Sequence, residues 1–353
     1  MERLAIIPIL GLLIVAHELG HFVVARMLGI VVEEFAIGFP PRLLSTVRGG
    51  VRYSLNLIPF GAYVRLLGEE DPSVRGSFAG QPKRARALVL AAGSGVNFLL
   101  AIFAFTLAYG TGWPDPSNVE VRVAETLPGS PAATAGLAVG DVIREANGAP
   151  VLSALDLRQR TRPGELVEIV VERGGTRLLI TMTPRADPPE GQGPLGIRVE
   201  AHALPTRHDP LSSVVFGVRQ AVEVVGLTLA APAMAIRGEL PPDMLRPIGL
   251  PGMSQLAGDA ATAVVQTGWL FPVLILAGVF SAGLAVANML PLPALDGGRL
   301  FFVLIEAIRG RRISPEREGL IHAAGLMLLL SLMLVISYYD VVRPLPGIDW
   351  GVK

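Results

Sequence analysis

Two histidines four positions apart, with a glutamate beside the first, make up His17-Glu18-Leu19-Gly20-His21. On a helix, positions i and i+4 share a face, so His17 and His21 can present two imidazole nitrogens to one metal ion. Glu18 flanks that face without having to be a ligand. It can serve as general base, taking a proton from water that the ion has made acidic. The group lies in an apolar run that begins near Leu4, and ionisable groups at membrane depth normally face a partner, a cavity or a metal. The plain alternative is a chance HExxH whose histidines only hydrogen-bond to neighbouring helices. The whole chain holds five histidines, and the pairing of two of them here favours metal-dependent hydrolysis within the bilayer.

The elements that must position these residues belong to a membrane protein. Hydrophobic residues make up 51% of the 353 positions against 17% charged, and mean hydropathy is +0.52, too apolar for an ordinary soluble chain. Lys plus Arg and Asp plus Glu balance at 30 each, so no bulk field attracts nucleic acid, and no nucleic-acid partner is expected. With no cysteine, disulfides and thiolate ligands are excluded and any metal is held by His, Asp or Glu. Residues 4–25, 88–109, 270–290 and 320–337 are long and apolar enough to cross the bilayer. The first is read as a retained span, because cleavage as a leader would discard the HExxH.

Between the second and third spans, residues 119–199 carry charges, Gly and Pro turn signals and β-rich pieces at 166–171 and 178–182, the marks of a water-soluble domain. Arg and Lys cluster between spans one and two and again, from Arg309 to Arg317, between spans three and four. Those loops are therefore cytoplasmic, and the soluble domain and both termini face outside. A fifth apolar stretch, 214–236, would invert the later half if it crossed, so it is read as an interfacial or periplasmic helix.

A third ligand is sought at the end of span three, in Asn288-Met289-Leu290-Pro291-Leu292-Pro293-Ala294-Leu295-Asp296-Gly297-Gly298-Arg299. Asp-Gly-Gly alone usually marks a turn. Spans one and three run in the same direction, however, so His21 and Asp296 can meet at one depth. A membrane helix hides its peptide bonds in its own hydrogen bonds, so a protease must unwind it and satisfy the freed groups. Residues 51–58, a turn at Pro59-Phe60-Gly61 and residues 62–66 read as a membrane-associated β-hairpin. Its edge, around Gly61 and Tyr63, could pair with an extended substrate, or the hairpin could only pack against the helices.

These motifs together resemble the site-2 protease family of intramembrane zinc metalloproteases, especially the bacterial type that acts on the anti-sigma factor of the envelope stress response. The resemblance spans nearly the full length. It rests on His17-Glu18-Leu19-Gly20-His21, the Phe35 to Pro40 stretch, Gly61-Ala62-Tyr63-Val64-Arg65, Ala92-Gly93 with Asn97, and the Asn288 to Gly298 run. Pro40 and Ser94 depart from the family pattern in loop positions, away from the ligands. The resemblance implies one zinc per chain bound by His17, His21 and Asp296, with Glu18 as base. It implies that Asn97 and Asn288 position substrate backbone or stabilise the oxyanion; interhelical hydrogen bonding is the competing role.

Pro128-Gly129-Ser130-Pro131 to Leu137, Gly140-Asp141-Val142-Ile143 and Asn147-Gly148 resemble the core of a bacterial PDZ domain, present here as one copy. Leu195-Gly196-Ile197 corresponds to its peptide-binding segment, serving either as a peptide pocket or as part of a size filter. The expected fold is thus a polytopic α-helical membrane protein with four transmembrane helices, a membrane-associated β-hairpin and an inserted extracytoplasmic PDZ-like α+β domain. Its parts are residues 1–118, 119–200, 201–267 and 268–353.

The expected substrates are single-pass membrane proteins already trimmed by another protease, cut in a bacterial cytoplasmic membrane with the active site toward the cytoplasm. One rival is a non-catalytic membrane receptor or chaperone with a structural metal, but a closed structural site would not need Glu18. Another is a metal transporter, and the spans lack the further carboxylates or histidines of a conduction path.

Overall fold

The computed structural model describes residues 2–69, 71–240, 246–348 and 350. Met1 and Lys353, the termini assigned to the outside, lie outside the described residues. In chain order the elements are α1 (Ile6–Met27), β1 (Val32–Arg48), β2 (Val51–Leu66), α2 (Lys83–Gly112), β3 (Trp113–Thr126), α3 (Pro131–Thr134), β4 (Val142–Ala146), β5 (Ala149–Pro150), α4 (Ala154–Arg160), β6 (Val167–Arg173), β7 (Thr176–Met182), β8 (Ile197–Thr206), α5 (Pro210–Ile236), α6 (Leu250–Thr267), α7 (Phe271–Met289), α8 (Asp296–Arg309) and α9 (Pro315–Val342). They form two units, residues 1–110 with 209–350, and residues 111–208. Among the described residues, five helices, α1, α2, α5, α7 and α9, are long and apolar enough to cross a membrane.

In the larger unit, α1 buries a stripe at Ile6, Leu10, Leu13, His17, Gly20 and His21. This spacing of three and four keeps one helix face turned inward. The upper part of the stripe packs in one cluster with Leu276 and Phe280 of α7 and Leu256 of α6, while the lower part meets the residues that follow α7. Helices α1 and α7 therefore run parallel. Close approach of α1 and α2 requires Gly20, since a Cβ there would lie 2.6 Å from the Ala92 carbonyl oxygen, the small-residue packing common between membrane helices.

Helix α5, the stretch read as an interfacial or periplasmic helix, packs one face against the rest of the larger unit. Ser213, Gly217 and Ala221 form its buried face, and Ala221 shares a cluster with Ala101 and Phe105 of α2 and Ala282 of α7. Small residues at i, i+4 and i+8 let it lie against the bundle. It begins beside the C-terminal end of α2, where the Tyr109 hydroxyl donates to Gln220. Beyond its end, Arg246 bonds to Asp340 at the C-terminal end of α9 at 2.9 Å.

The β-hairpin differs from expectation. Residues 51–58 and 62–66 do not pair with each other. Strand β1 lies between them: Phe35 is opposite Tyr53 on one side and Val64 on the other, and the tight turn joining β1 to β2 is at Gly49-Gly50. Strand β1 is hard to foresee because it contains two glutamates and Pro40-Pro41, residues disfavoured in sheets. Glu34 is accommodated by the Ser54 hydroxyl and by Arg42 at 2.7 Å. Burial alone would raise its carboxyl, but these partners outweigh burial and hold it below the ordinary value.

The smaller unit is an α+β fold whose strands run in the order β7-β6-β4-β3-β8, with β5 on β4, all antiparallel. Val121, Ile143, Ile169 and Val171 from its strands and Leu157 from α4 close its core. It is wider than residues 119–200 because β3 starts at Trp113 and β8 ends at Thr206. A bidentate pair links Arg173 to Asp141 at 2.6 and 2.7 Å, and the Ala138 amide donates to the same carboxylate.

Candidate metal centre

The motif that begins α1's lower half and the turn that follows α7 meet at one point. His17 Nε2 lies 3.0 Å from Asp296 Oδ2, His21 Nε2 lies 3.1 Å from the same oxygen, and the two Nε2 atoms are 3.1 Å apart. Among the described residues, these three are the one group of His, Asp or Glu with donor atoms close enough to hold a metal ion. Donors around a tetrahedral zinc, with Zn–N of about 2.05 Å, would stand about 3.3 Å from one another, so the spacing fits such an ion closely. The donor set of two nitrogens and one oxygen, with no thiolate in the chain, also suits zinc.

Both imidazoles are oriented from behind. His21 Nδ1 lies 2.8 Å from the Val89 carbonyl oxygen, which can only accept, so Nδ1 carries the proton and Nε2 is left with its lone pair toward the centre. His17 Nδ1 lies 3.3 Å from the Asn97 side chain. Asn97 is fully buried. With its amide oxygen toward the ring, Asn97 accepts from His17 Nδ1–H, which leaves His17 Nε2 free as a ligand. Asn97 is fixed in turn through its backbone carbonyl, which accepts from Ser281 of α7 at 2.7 Å.

Asp296 is the first residue of α8, where a helix favours negative charge. Burial would raise its carboxyl, yet the hydrogen bonds from His17 and His21 outweigh burial and hold it well below the usual carboxylate range. The turn that delivers it is tight. A Cβ on Gly297 or Gly298 would collide with the carbonyl oxygens of Leu290 and Leu292, so the Asp-Gly-Gly sequence is what allows α8 to start against the end of α7. Ala294 has φ of 75°, a strained value for a residue with a side chain. Its amide donates to His322 Nδ1 of α9 at 2.8 Å, so α9 braces the strained loop.

Gly93 of α2 forms the wall opposite. A Cβ there would stand 2.5 Å from His21 Nε2 and 2.6 Å from His17 Nε2, in the space between the rings. Glu18 sits beside the centre, within electrostatic reach of His17, His21 and Asp296, and its Oε2 accepts from the Val64 amide of β2 at 3.1 Å.

The other predicted site residues lie at varied places. Asn288 is half-buried in the last turn of α7, one turn before the metal loop. Tyr63 stacks on Phe39 with ring centroids 6.4 Å apart, beneath Arg65, and Gly61, at φ of 88°, lies under the same Phe39 ring. Leu195, Gly196 and Ile197 lie in the smaller unit. They line a groove of about 740 Å³ together with Leu157, Arg158 and Thr161, but the Gly196 amide is already engaged by the Gly193 carbonyl at 3.0 Å. Sequence reasoning missed Val64, Val89, Gly93 as a wall, and His322. Gly93 was visible as part of the Ala-Gly pair and Val64 as part of Gly61-Ala62-Tyr63-Val64-Arg65; Val89 and His322 carried no local signal.

Residues 5–332 match peptidase family M50. CPE1693 of Clostridium perfringens is 34% identical over 339 residues, 94% of this chain and 96% of its own length. The regulator of sigma-W protease RasP of Bacillus subtilis is 29% identical over 96% of this chain and 98% of its own, and the zinc metalloprotease RasP of Oceanobacillus iheyensis is 28% identical over the same shares. With a match covering all but the ends of the sequence, the chain belongs to peptidase family M50, the site-2 protease family that its motifs resemble.

Proposed function

We propose that this M50 peptidase is an intramembrane zinc metalloprotease that cuts a peptide bond within a membrane-spanning segment, with His17, His21 and Asp296 holding one zinc ion. The observation that carries the reading is the convergence of those three donor atoms, drawn from opposite ends of the sequence. Zinc, when bound, supplies the Lewis acidity that polarises the scissile carbonyl and acidifies water. Glu18 takes the proton and later delivers it to the departing amine. Asn97 and the Val89 carbonyl keep both imidazoles in the tautomer that a metal ligand needs. Asn288, in the turn before Asp296, is the candidate contact for substrate backbone or oxyanion.

Residues 62–66 are the proposed docking strand for the unwound substrate. They pair with β1 along one edge, and the Val64 amide on the other edge reaches Glu18. The substrates are single-pass membrane proteins, already trimmed by another protease. This is the class to which an anti-sigma factor belongs, and the name of the Bacillus subtilis relative, a regulator of sigma-W, is consistent with it. The smaller unit is read as a PDZ-like domain whose groove beside α4 and β8 acts as a peptide pocket or as a filter against bulky outer domains.

We place the protein in a bacterial cytoplasmic membrane, with α1, α2, α7 and α9 as its four spans and the metal centre toward the cytoplasm. The parallel course of α1 and α7 supports this count. A crossing by α5 alone would make them antiparallel, whereas the chain enters α5 and is anchored again at Arg246 on the side away from the metal loop.

Glu18→Gln tests the proposal. The purified variant should retain zinc at wild-type stoichiometry and lose cleavage of a model single-span substrate by at least about 100-fold. Retained cleavage would refute the assignment of the base. Zinc binding that survives Asp296→Ala together with His17→Ala would refute the ligand set.

A further inference from the structure

The free edge of β2 is not open. In residues 62–66, Val64 lies opposite Phe35 of β1, yet its N–H points away from that strand and donates to Glu18 Oε2 at 3.1 Å. Leu66, the next residue facing the same way, donates to Glu69 Oε1 at 3.2 Å. Glu69 is itself tied to Arg299 of α8 at 2.8 Å. Carboxylates therefore cap two successive donors of the edge, and one of these carboxylates is the proposed general base.

We propose that the Glu18–Val64 hydrogen bond is a latch that couples substrate docking to the release of the base. The proposal rests on the reading of Glu18 and residues 62–66 given above. An extended substrate that adds to this edge needs the Val64 N–H for one of its own carbonyls. The substrate carbonyl and the Glu18 carboxylate cannot both take that proton in good geometry, so docking displaces Glu18. The exchange replaces one N–H···O bond by another and has a small net cost. Before docking, Glu18 Oε2 is held by the strand at 3.1 Å; after docking, that oxygen is released to accept the proton. The base is thus delivered when an unwound backbone lies on the edge, and a helix that has not unwound cannot trigger it. Val64 acts as a positioning residue through its backbone alone.

The test is equilibrium binding of a fluorescently labelled single-span substrate to the full-length protein in micelles. Glu18→Gln and Glu18→Ala are both neutral at this position and both lack the base, so binding is read without turnover. Gln keeps an acceptor for Val64 and Ala does not. Glu18→Ala should bind the substrate roughly fivefold more tightly than Glu18→Gln, the worth of one competing hydrogen bond. Hydrogen exchange across residues 60–66, without substrate, should be faster in the Ala variant.

Adding Val64→Pro removes the donor at an outward-facing edge position, where proline is tolerated. It should weaken binding and abolish the difference between the Ala and Gln variants. Equal affinities and equal exchange in Glu18→Ala and Glu18→Gln would overturn the latch while leaving strand docking intact. Undiminished binding by Glu18→Ala with Val64→Pro would overturn the docking strand itself. If the proline variant does not fold, the exchange comparison alone decides the latch.

Discussion

Gly93→Ala is the sharpest probe of the metal centre, because it adds one methyl group and nothing else. On grounds of helix propensity alone the change should help, since alanine is favoured over glycine in a helix interior by about 1 kcal/mol. The local geometry opposes it. The new Cβ would lie 2.5 Å from His21 Nε2 and 2.6 Å from both Cε1 and Nε2 of His17, where ordinary contact begins near 3.4 Å. About 0.8 Å must therefore be found, either by rotating the imidazoles off their bonds to Val89 and Asn97 or by parting α1 from α2. Overpacking of this kind costs roughly 1–3 kcal/mol, and a ligand set disturbed on the scale of 1 Å loses about 100-fold in rate. Gly95→Ala on the same helix is the matched control, since a Cβ there meets nothing within 4 Å.

Zinc affinity by chelator competition and cleavage of a single-span substrate should both fall by at least about tenfold in Gly93→Ala and stay within twofold in Gly95→Ala. Wild-type zinc affinity in Gly93→Ala would show that the imidazoles do not converge where they are placed here, and the account of the centre would fail with it.

Two further outcomes are expected. Asn97→Ala should weaken zinc binding by roughly 10- to 100-fold while the protein remains folded, because it removes the acceptor that fixes the His17 tautomer; unchanged affinity by chelator competition would count against that role. In the smaller unit, hydrogen bonds from Arg173 hold the Asp141 carboxyl below its ordinary value of 3.8. A depressed folded value means that the pair stabilises the unit above that pH and ceases to do so as pH falls through the folded value. Because Arg173 is 44% exposed, Asp141→Asn should cost only about 1–2 kcal/mol at pH 7. Hydrogen exchange over residues 111–208 of the full-length protein should rise at neutral pH and lose its acid sensitivity in that variant. Wild-type exchange at both pH values would contradict the pairing.

The convergence of the three proposed ligands was legible in the sequence because two strong regularities met. Helical spacing put His17 and His21 on one face, and the parallel direction of two spans let Asp296 reach them. Of the groups behind the ligands, Asn97 was singled out with the Ala92-Gly93 pair, but its bond to His17 and the remaining contacts were not legible, because they join residues far apart in the chain. Val89 contributes a backbone carbonyl, Val64 a backbone amide, and His322 reaches in from the last helix. Strand β1 was hidden by Glu33, Glu34 and Pro40-Pro41, which local propensity assigns to a loop. Tertiary partners, above all Ser54 and Arg42 around Glu34, overrule that preference. How closely α5 packs was not legible either: Ser213, Gly217 and Ala221 line up only once the helix is formed, while Arg219 and Glu223 on its exposed side bond to each other at 2.8 Å.

In the membrane orientation proposed above, the depth of the histidines along α1 would determine what kind of fragments this peptidase leaves behind. Between His21 and the end of the helix at Met27 the backbone climbs roughly 9 Å, against a hydrocarbon thickness of about 30 Å. Scission at that level is lopsided. One fragment keeps only a stub of apolar residues, too short to hold it, and departs into the nearby aqueous phase, while the other retains most of its anchor and stays. An off-centre blade therefore makes the cut a directional release, freeing whatever was tethered on the near face.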